Sequence, residues 1–469
     1  MSETKFHTLS PQQVAALEKL VGNTHVLVDR DALERYGSDE TEDLCFPPAA
    51  VVKPGTVGEI QAVLRYAYAE RIPVTPRGAG TGLSGGALAV HGGICLSTER
   101  LNRILEIDMQ NLVGVVEPGV VTETFQNEVE SRGLFYPPDP ASRGSCFLGG
   151  NIAECSGGPR AVKYGVTKDF VLGLELVLPD GTLIRHGGKL LKNVTGFNIS
   201  QLMVGSEGTL GVVTKIYFKL IPLPKERVLM LVPFPKLDNA ATCVSAIFRA
   251  GIVPSACELM ERDAVLCSEE HLGVEFPAKA NTADGVLIIE TDGSVAGVAM
   301  AEAERVTEIC LEHGALDVVL ADTSEKQKDI WRLRRATGEA VKKSSIYKEE
   351  DTVVPRAQLP ELIRGVKKIC AEYGITSVCY GHAGDGNLHV NILKMDLSDD
   401  DWNDMVPRAI VKIFELTVAL GGTISGEHGI GYVQKRYMPI AYSADELALM
   451  GRIKLAFDPL RLFNPGKWV

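Results

Sequence analysis

The spacing of hydrophobic and polar residues changes along the chain. The first forty-odd residues predict short helices, for example in the run PQQVAALEKL at 11–20. From about residue 48, short β-branched runs punctuated by glycine predict strands; these runs are AAVVKP, IPVTP, GGICLS and LVGVVEPG. Between the first two, apolar residues recur at spacings of 3, 4 and 7 and predict a helix over 56–70, with its apolar face at Ile60, Val63, Leu64 and Ala67.

A second region follows the run VVTKIYFKLIPLP, whose two prolines near 222–224 predict a boundary. Beyond it, longer strands alternate with helices; the segments are RVLMLVPF, LDNAATCVSAIFRAG, GVLIIETDG and VAMAEAERVTEICLEHG. This order predicts an α+β domain in which an antiparallel sheet is covered by helices on one side.

Length and composition narrow the class of protein. A chain of 469 residues is too long for a single core, and its 45% hydrophobic content is ordinary for a globular protein. No apolar run has the roughly 18 residues that a membrane span needs, and the segment MSETKFHTLS lacks the features of a secretory signal. We therefore expect a cytoplasmic protein. The formal charge of −12 argues against nucleic acid as a partner.

The cysteines occur singly and form no C-x-x-C pair, which disfavours zinc ribbons and iron–sulfur ligands. We expect buried free thiols at Cys45, Cys95, Cys146, Cys155, Cys243, Cys257, Cys267, Cys310, Cys370 and Cys379.

The densest glycine cluster is PRGAGTGLSGGA at 76–87, directly after a predicted strand. Such glycines let successive backbone amides point at one anion, and Arg77, Thr81 and Ser84 would add donors. A Rossmann fingerprint is the first alternative, with Glu99 as its acid, but the segment that follows is a poor helix former. A plain glycine-rich turn is the second alternative.

Several motifs in a fixed order carry a family resemblance over residues 45–466. They are PRGAGTGLSGGA, YPPDPAS, the segments 148–182 and 202–216, GHAGDGNLHVN, GGTISGEHGIG and FNPGK. Together they resemble the FAD-linked 2-hydroxyacid dehydrogenases: the glycolate oxidase catalytic subunit, D-lactate dehydrogenase and D-2-hydroxyglutarate dehydrogenase. The resemblance implies an α+β fold with a vanillyl-alcohol-oxidase/PCMH-type FAD-binding domain at 46–222 and a substrate (cap) domain at 223–425. An N-terminal helical segment at 1–45 and a C-terminal segment at 426–469, which returns to the flavin site, complete it.

The resemblance also implies where FAD binds. Family members with a covalent flavin carry a histidine where this chain has Thr81, so we expect non-covalent FAD. The implied FAD-binding residues, with Glu207 to Val213 beside the adenine, are Pro76, Arg77, Gly78, Ala79, Gly80, Thr81, Gly82, Ser84, Gly85, Pro138, Asp139, Gly150, Asn151, Glu154, Cys155, Gly158, Glu207, Gly208, Gly211, Val213 and Asn464.

Histidines in two distant segments predict a metal site. On one regular strand His382 and His389 would face opposite sides, but AGDG between them predicts a turn that folds the first imidazole toward the second. Two imidazoles and a carboxylate suit a divalent metal with open positions, whereas satisfied polar residues at tight turns are the alternative. The resemblance implies that His382, His389 and Glu427 bind the metal, with zinc, manganese and iron all admissible.

By the same resemblance, the substrate is a D-2-hydroxy acid, D-lactate first, with glycolate or D-2-hydroxyglutarate as alternatives. Hydride would pass to flavin N5 while His428 takes the hydroxyl proton. The implied substrate-binding residues are Arg334, Lys348 and Asn391. The alternative for Arg334 is a solvent-exposed arginine on a helix. Lys348 aligns with the family's lysine only to within about one residue.

Two other function classes stay open at this point, a metal-dependent hydrolase and a flavin electron-transfer subunit. The expected electron acceptor is a protein, such as electron-transfer flavoprotein or an iron–sulfur subunit, or a quinone. Peripheral membrane association and a homodimer are further expectations.

Overall fold

In a computed structural model, which describes residues 6–321 and 323–469, the chain forms two compact units. The first comprises the described residues up to Gly157, together with Val166–Pro222 and Glu427–Val469. The second comprises Gly158–Gly165 and Leu223–Gly426. Residues 1–5 of the predicted N-terminal segment lie outside the described residues. Placing 158–165 in the second unit differs from the sequence analysis, which assigned it to the FAD-binding domain.

In the first unit, a four-stranded sheet contains the two strands that the glycine-rich segment connects. Its strands are β1 (Val26–Leu27), β2 (Ala50–Val52), β3 (Val74–Arg77) and β4 (Ile94–Ser97), in the order β1-β2-β4-β3. β2, β4 and β3 are parallel, and β1 is antiparallel to β2. The predicted helix is confirmed as Val57–Glu70; its apolar face is buried, and the Thr56 side chain caps its first turn.

A larger antiparallel sheet completes the first unit. β10 alternates buried and half-buried residues, as expected for a strand with one face on a core. The remaining strands of the unit are β5 (Ile104–Asp108), β6 (Val113–Val116), β7 (Leu134–Phe135), β8 (Val171–Val177), β9 (Leu183–Gly187), β10 (Val212–Lys219) and β11 (Ile221–Pro222). The sheet order is β5-β6-β10-β8-β9, and β7 pairs with β11. The other helices, including short 3-10 turns, are Pro11–Val21, Asn23–His25, Arg30–Tyr36, Thr122–Glu130, Leu148–Glu154, Thr167–Asp169, Ile199–Met203, Lys435–Tyr437, Met438–Ala441 and Ala444–Phe457.

The second unit is built on a single antiparallel sheet of the described strands. These are β12 (Glu226–Phe234), β13 (Ala256–Glu261), β14 (Gly285–Gly293), β15 (Val319–Ala321), β16 (Tyr347–Val353), β17 (Thr376–His382) and β18 (Asn387–Leu393). Their order is β15-β12-β14-β13-β17-β18-β16. The helices are Ala161–Tyr164, Leu237–Arg249, Arg262–Leu272, Pro277–Thr282, Val298–Glu312, Ser324–Ser344, Arg356–Gln358, Leu359–Glu372 and Asp399–Ala419.

Helices cover this sheet on both faces, so the prediction of one covered side is wrong. Ile288 belongs to a buried cluster with Val265 and Leu333, which lie on helices Arg262–Leu272 and Ser324–Ser344. Leu287 and Ile289 project from the opposite face of β14, where helices Leu237–Arg249 and Val298–Glu312 pack. The α+β class itself is confirmed.

The cysteines are free thiols, as predicted, but the prediction that all of them are buried is wrong. Cys45 is exposed, and Cys155 and Cys267 are half-buried; the buried thiols are Cys95, Cys146, Cys243, Cys257, Cys310, Cys370 and Cys379. Within the described part of the chain, no helix combines the length and the hydropathy that a bilayer crossing requires.

Candidate active site

The first unit contains a groove of about 250 Å³ that is partly open to solvent. Its walls come mainly from segments 76–83, 146–156 and 203–213. Glu427 and His428 also line it. The predicted cofactor residues that line the groove are Pro76, Arg77, Gly78, Ala79, Gly80, Thr81, Gly82, Gly150, Asn151, Glu154, Glu207, Gly208, Gly211 and Val213.

The glycine-rich loop offers free donors to an anion. Among the described residues, the amides of Ala79 to Leu83 donate no hydrogen bond to another group of the chain. A Cβ added at Gly82 or Gly150 would meet open space, so neither position narrows the groove. Half-buried amides without protein acceptors are the donors that a diphosphate would satisfy.

The side chain of Arg77 supports this loop by binding backbone carbonyl oxygens, so its charge is not directed into the groove. Its guanidinium donates hydrogen bonds to the carbonyl oxygens of Tyr36, at 3.3 Å, and Ser38, at 2.7 Å. A Cβ at Gly80, which has a φ of +76°, would overlap the guanidinium. A glycine is therefore required there.

Other predicted cofactor residues lie behind the groove wall. The Asn464 side-chain amide donates to the carbonyls of Gly86, at 3.1 Å, and Glu207, at 2.9 Å. Ser84 accepts the amide of Tyr432 at 2.8 Å through its carbonyl. These contacts support the wall. The remaining members of the set do not line the groove: Gly85, Pro138 and Asp139 are buried, Cys155 is half-buried, and Gly158 belongs to the second unit. Groove residues that the sequence analysis missed include Thr98, Pro118, Phe147 and Ser156.

Glu207 directs its carboxylate at the GEHGIG loop. Its oxygens accept the amides of Ile430, at 2.9 Å, and Gly431, at 2.5 Å. Burial raises the pKa of Glu207 to about 7, against the lowering effect of these two amides. Burial, and then the charge of Glu207, also raise the pKa of Glu154.

In the second unit, the β17–β18 hairpin brings the two histidines together. Residues 383–386 form the predicted turn, and His389 pairs with Tyr380 across the hairpin while His382 pairs with Asn387. Paired residues of antiparallel strands share a face, so both imidazoles project from the same side of the sheet. Their ring centroids are 5.4 Å apart at an interplanar angle of 84°. The predicted folding-back of the first imidazole is confirmed.

A buried carboxylate, Glu258 of β13, supports this pair and was not predicted. It lies 2.9 Å from Nδ1 of His382 and 2.5 Å from Nη2 of Arg334. Burial alone would raise the pKa of Glu258, but the charges of His382 and Arg334 lower it below the usual value. Arg334 is 7% exposed, which excludes a solvated helix arginine.

The edge strand β16 contributes two further carboxylates that the sequence analysis missed. Nδ1 of His389 is 3.6 Å from an oxygen of Glu349 and 3.6 Å from one of Asp351. Glu349 pairs with Asn391, so both belong to the face that carries the histidines. Lys348 pairs with Ile392 and projects from the opposite face. Lys348 therefore points away from Asn391, and Glu349 occupies the position that faces it.

The predicted ligand Glu427 and the predicted base His428 line the groove of the first unit, whereas His382 and His389 belong to the second. The chain leaves the second unit at Gly426. The amide of Gly426 donates to Asp351 Oδ2 at 2.8 Å, and Ser425 Oγ donates to the same oxygen at 3.0 Å.

Comparison with known families identifies the two halves of the chain. Residues 48–187 match the family described as "FAD binding domain", and residues 223–468 match "FAD linked oxidases, C-terminal domain". The chain belongs to the FAD-linked oxidase family. As a FAD-linked oxidoreductase it uses FAD, and the free amides beside its groove fit the cofactor's diphosphate. The alternative of a metal-dependent hydrolase is wrong.

Several relatives of this FAD-linked oxidoreductase match over most of their length. It is 40% identical to glycolate oxidase subunit GlcD of Bacillus subtilis, covering 92% of this chain and 91% of the relative. It is 34% identical to D-lactate dehydrogenase of Anaerostipes hadrus (100% and 99% covered). It is 36% identical to D-2-hydroxyglutarate dehydrogenase of Xanthomonas citri pv. viticola (98% and 97% covered).

Solved structures show the same fold at low sequence identity. p-Cresol methylhydroxylase with substrate bound is 18% identical, with a TM-score of 0.79 over 97% of this chain and 96% of that one. Alkyldihydroxyacetonephosphate synthase is 18% identical, with a TM-score of 0.76 over 98% and 86%. These similarities confirm the predicted PCMH-type fold of the FAD-linked oxidoreductase.

Proposed function

We propose that this FAD-linked oxidoreductase oxidises a D-2-hydroxy acid, D-lactate first, to the 2-oxo acid. One observation carries the proposal: a buried arginine, Arg334, lies on the same sheet face as two adjacent imidazoles. A guanidinium fork suits a carboxylate, and imidazoles suit a metal or a proton. The relatives named for glycolate, D-lactate and D-2-hydroxyglutarate share a substrate class, the small 2-hydroxy acids.

In this proposal His382, His389 and Glu427 hold a divalent cation, which would be zinc, manganese or iron. The fit is chemical: Nδ1 of His382 is engaged by Glu258, and Nδ1 of His389 faces Glu349 and Asp351. Carboxylates behind imidazoles fix the ring orientation and leave Nε2 for a metal. Glu427 directly follows Gly426, whose amide Asp351 holds. When bound, the cation would polarise the substrate hydroxyl and lower its pKa.

FAD, when bound, supplies the hydride acceptor. In the proposal, the amides of Ala79 to Leu83 hold its diphosphate non-covalently, because Thr81 offers a hydroxyl where covalent attachment would use an imidazole. Arg334 holds the substrate carboxylate, and Asn391 donates a hydrogen bond to the substrate. His428 accepts the hydroxyl proton as the Cα–H bond breaks.

The direction of Lys348 bears on the choice of substrate. A dicarboxylate needs a second cation, and Lys348 was the residue predicted to supply it. Because Lys348 projects from the other face of the sheet, the proposal favours D-lactate and glycolate over D-2-hydroxyglutarate. We propose that the electrons leave to a protein, such as electron-transfer flavoprotein or an iron–sulfur subunit, or to a quinone. A cytoplasmic location, with or without peripheral membrane association, and a homodimer belong to the same proposal.

Anaerobic bleaching of the flavin absorbance tests the proposal directly. D-Lactate and glycolate should bleach the holoenzyme, and L-lactate should not. In the Arg334→Lys variant, the substrate concentration for half-maximal rate should rise on the order of tenfold, because lysine lacks the two-pronged geometry. Arg332→Lys is the matched control, since Arg332 is an exposed arginine of the same helix. If dithionite bleaches the flavin and no hydroxy acid does, the chain is an electron-transfer subunit and the proposal fails.

A further inference from the structure

We propose that Glu207 is a positioning residue that presents Glu427 and His428 to the groove. The inference rests on the proposed function for the roles of those two side chains. Glu207 itself acts through the loop that carries them, since its carboxylate binds the backbone amides two and three residues after His428.

Hydrogen bonds to its amide and to its carbonyl hold the backbone of Glu207 in place. Its amide donates to the carbonyl of Ala153 at 2.8 Å, and its carbonyl accepts the side-chain amide of Asn464 at 2.9 Å. Its φ of +50° lies in the left-handed region, which residues with a Cβ adopt only when the surrounding structure imposes it. The surrounding structure thus holds the carboxylate in one direction.

Each carboxylate oxygen has its own donor. Oε1 accepts the amide of Ile430 and Oε2 accepts the amide of Gly431. The loop is held just beyond this point as well, because the amides of Tyr432 and Val433 donate to the carbonyl of Ser84 at 2.8 and 3.2 Å. An amide side chain in place of Glu207 has one acceptor and one donor group, so it would satisfy one of the two backbone amides and oppose the other.

The glycines of GEHGIG are explained by the same contact. Gly429 and Gly431 have φ values of +82° and +49°. A Cβ at Gly429 would overlap a carboxylate oxygen of Glu154 and approach Glu207, and one at Gly431 would overlap the carbonyl of Ser84. The loop can therefore lie against these groups only with glycine at both positions.

Hydrogen–deuterium exchange of the FAD-loaded Glu207→Gln variant tests this role. The peptide that contains residues 427–433 should exchange on the order of tenfold faster, because one of the two hydrogen bonds from the loop amides is lost and replaced by an opposed donor. FAD content should stay at the wild-type level, while flavin reduction by D-lactate slows. Glu175→Gln is the matched control: Glu175 is a buried carboxylate of the same unit, 2.7 Å from Arg185, and its loss should leave the loop unchanged.

A second variant keeps the test decisive if Glu207→Gln does not fold. Gly429→Ala retains Glu207 but displaces the loop from it, and should raise exchange in the same peptide. Unchanged exchange in a folded, FAD-loaded Glu207→Gln protein would overturn the proposal, as would loss of FAD without a change in the loop. The exchange measurement does not depend on turnover, so it separates this inference from the proposed substrate.

Discussion

In the sequence, His428 lies between a candidate metal ligand and a glycine at which a Cβ would overlap neighbouring groups. Glu427 precedes it, and Gly429 packs against Glu154. Both Glu427 and His428 line the groove of the FAD-binding unit. An imidazole titrates near neutrality, so it can accept a proton from a substrate hydroxyl and release it again at physiological pH.

Replacement of His428 by alanine should remove the base and leave the cofactor in place. Flavin reduction by D-lactate should slow by about 100- to 10,000-fold, the usual contribution of a general base. Stopped-flow absorbance of the FAD-loaded variant measures this rate, and His25→Gln, in a short helical turn of the same unit, serves as its control. Reduction at a nearly normal rate would remove His428 from the mechanism.

Single residues differ in how far the sequence predicts them. His382, His389 and Glu427 stand in glycine-rich motifs, which mark positions where the backbone must turn. Glu258 lies in the apolar strand β13, and it meets His382 from 124 positions away. No local pattern connects the two. The sequence alone does not fix the direction of Lys348, because a shift of one position in a strand moves a side chain to the other face.

Among the elements, the β17–β18 hairpin contributes most to the candidate site. Its register places both imidazoles on one face, and the neighbouring strands add carboxylates behind them. β13 supplies Glu258, and β16 supplies Glu349 and Asp351. Four adjacent strands, β13, β17, β18 and β16, therefore fix the orientation of the two rings.

Loss of the carboxylate behind His382 should weaken binding of the proposed metal. We expect Glu258→Gln to lower the affinity for the metal by about 10- to 100-fold, as is usual when the partner of a ligating histidine is removed. Metal content after dialysis, measured by mass spectrometry, checks this. Glu290→Gln is the control, because Glu290 lies on the adjacent strand β14 with Trp331 as its partner. If exhaustive chelation leaves turnover of the wild-type enzyme unchanged, the metal has no part in the reaction.

The elements themselves follow closely from the hydrophobic pattern. The helix at 57–70 occurs where its spacing predicts it, and strand β12 covers the predicted run RVLMLVPF. Coverage of the second sheet was predicted on one side only, although β12 and β14 carry nearly continuous apolar runs. Such runs are typical of strands buried on both faces, and this signal was present in the sequence.

At the scale of the whole molecule, the position of segment Gly158–Gly165 is a feature that the local sequence pattern does not predict. It is preceded and followed by residues of the FAD-binding unit, yet it belongs to the other unit. Lys163 and Tyr164 bind Asp292 at 2.6 and 2.7 Å, and Asp292 lies about 130 positions further along the chain. Pairings over such distances depend on the complete fold.

The stability of the apoprotein should depend on pH through Glu154 and Glu207. Both folded-state pKa values are raised, chiefly by burial, so the fold prefers the protonated groups. Their contribution is present below the ordinary pKa of about 4.3 and is lost as the pH rises through about 7, where Glu207 titrates. The neutral Glu154→Gln variant should therefore gain stability relative to the wild type as the pH rises from 5 to 8.

Urea denaturation of both apoproteins across this range measures the difference. Lys467, whose pKa burial lowers to about 7, is present in both and cancels in the comparison. A difference that stays constant with pH would contradict the assignment.

The distribution of thiols has a practical consequence. Cys45 is exposed, whereas burial raises the pKa of Cys95 in one unit and of Cys379 in the other to about 12. Alkylating reagents therefore meet the native chain at Cys45 and reach Cys95 or Cys379 only after the surrounding unit has opened. Labelling of Cys95 thus reports unfolding of the first unit, and labelling of Cys379 reports unfolding of the second. The order in which the two become labelled shows which unit unfolds first.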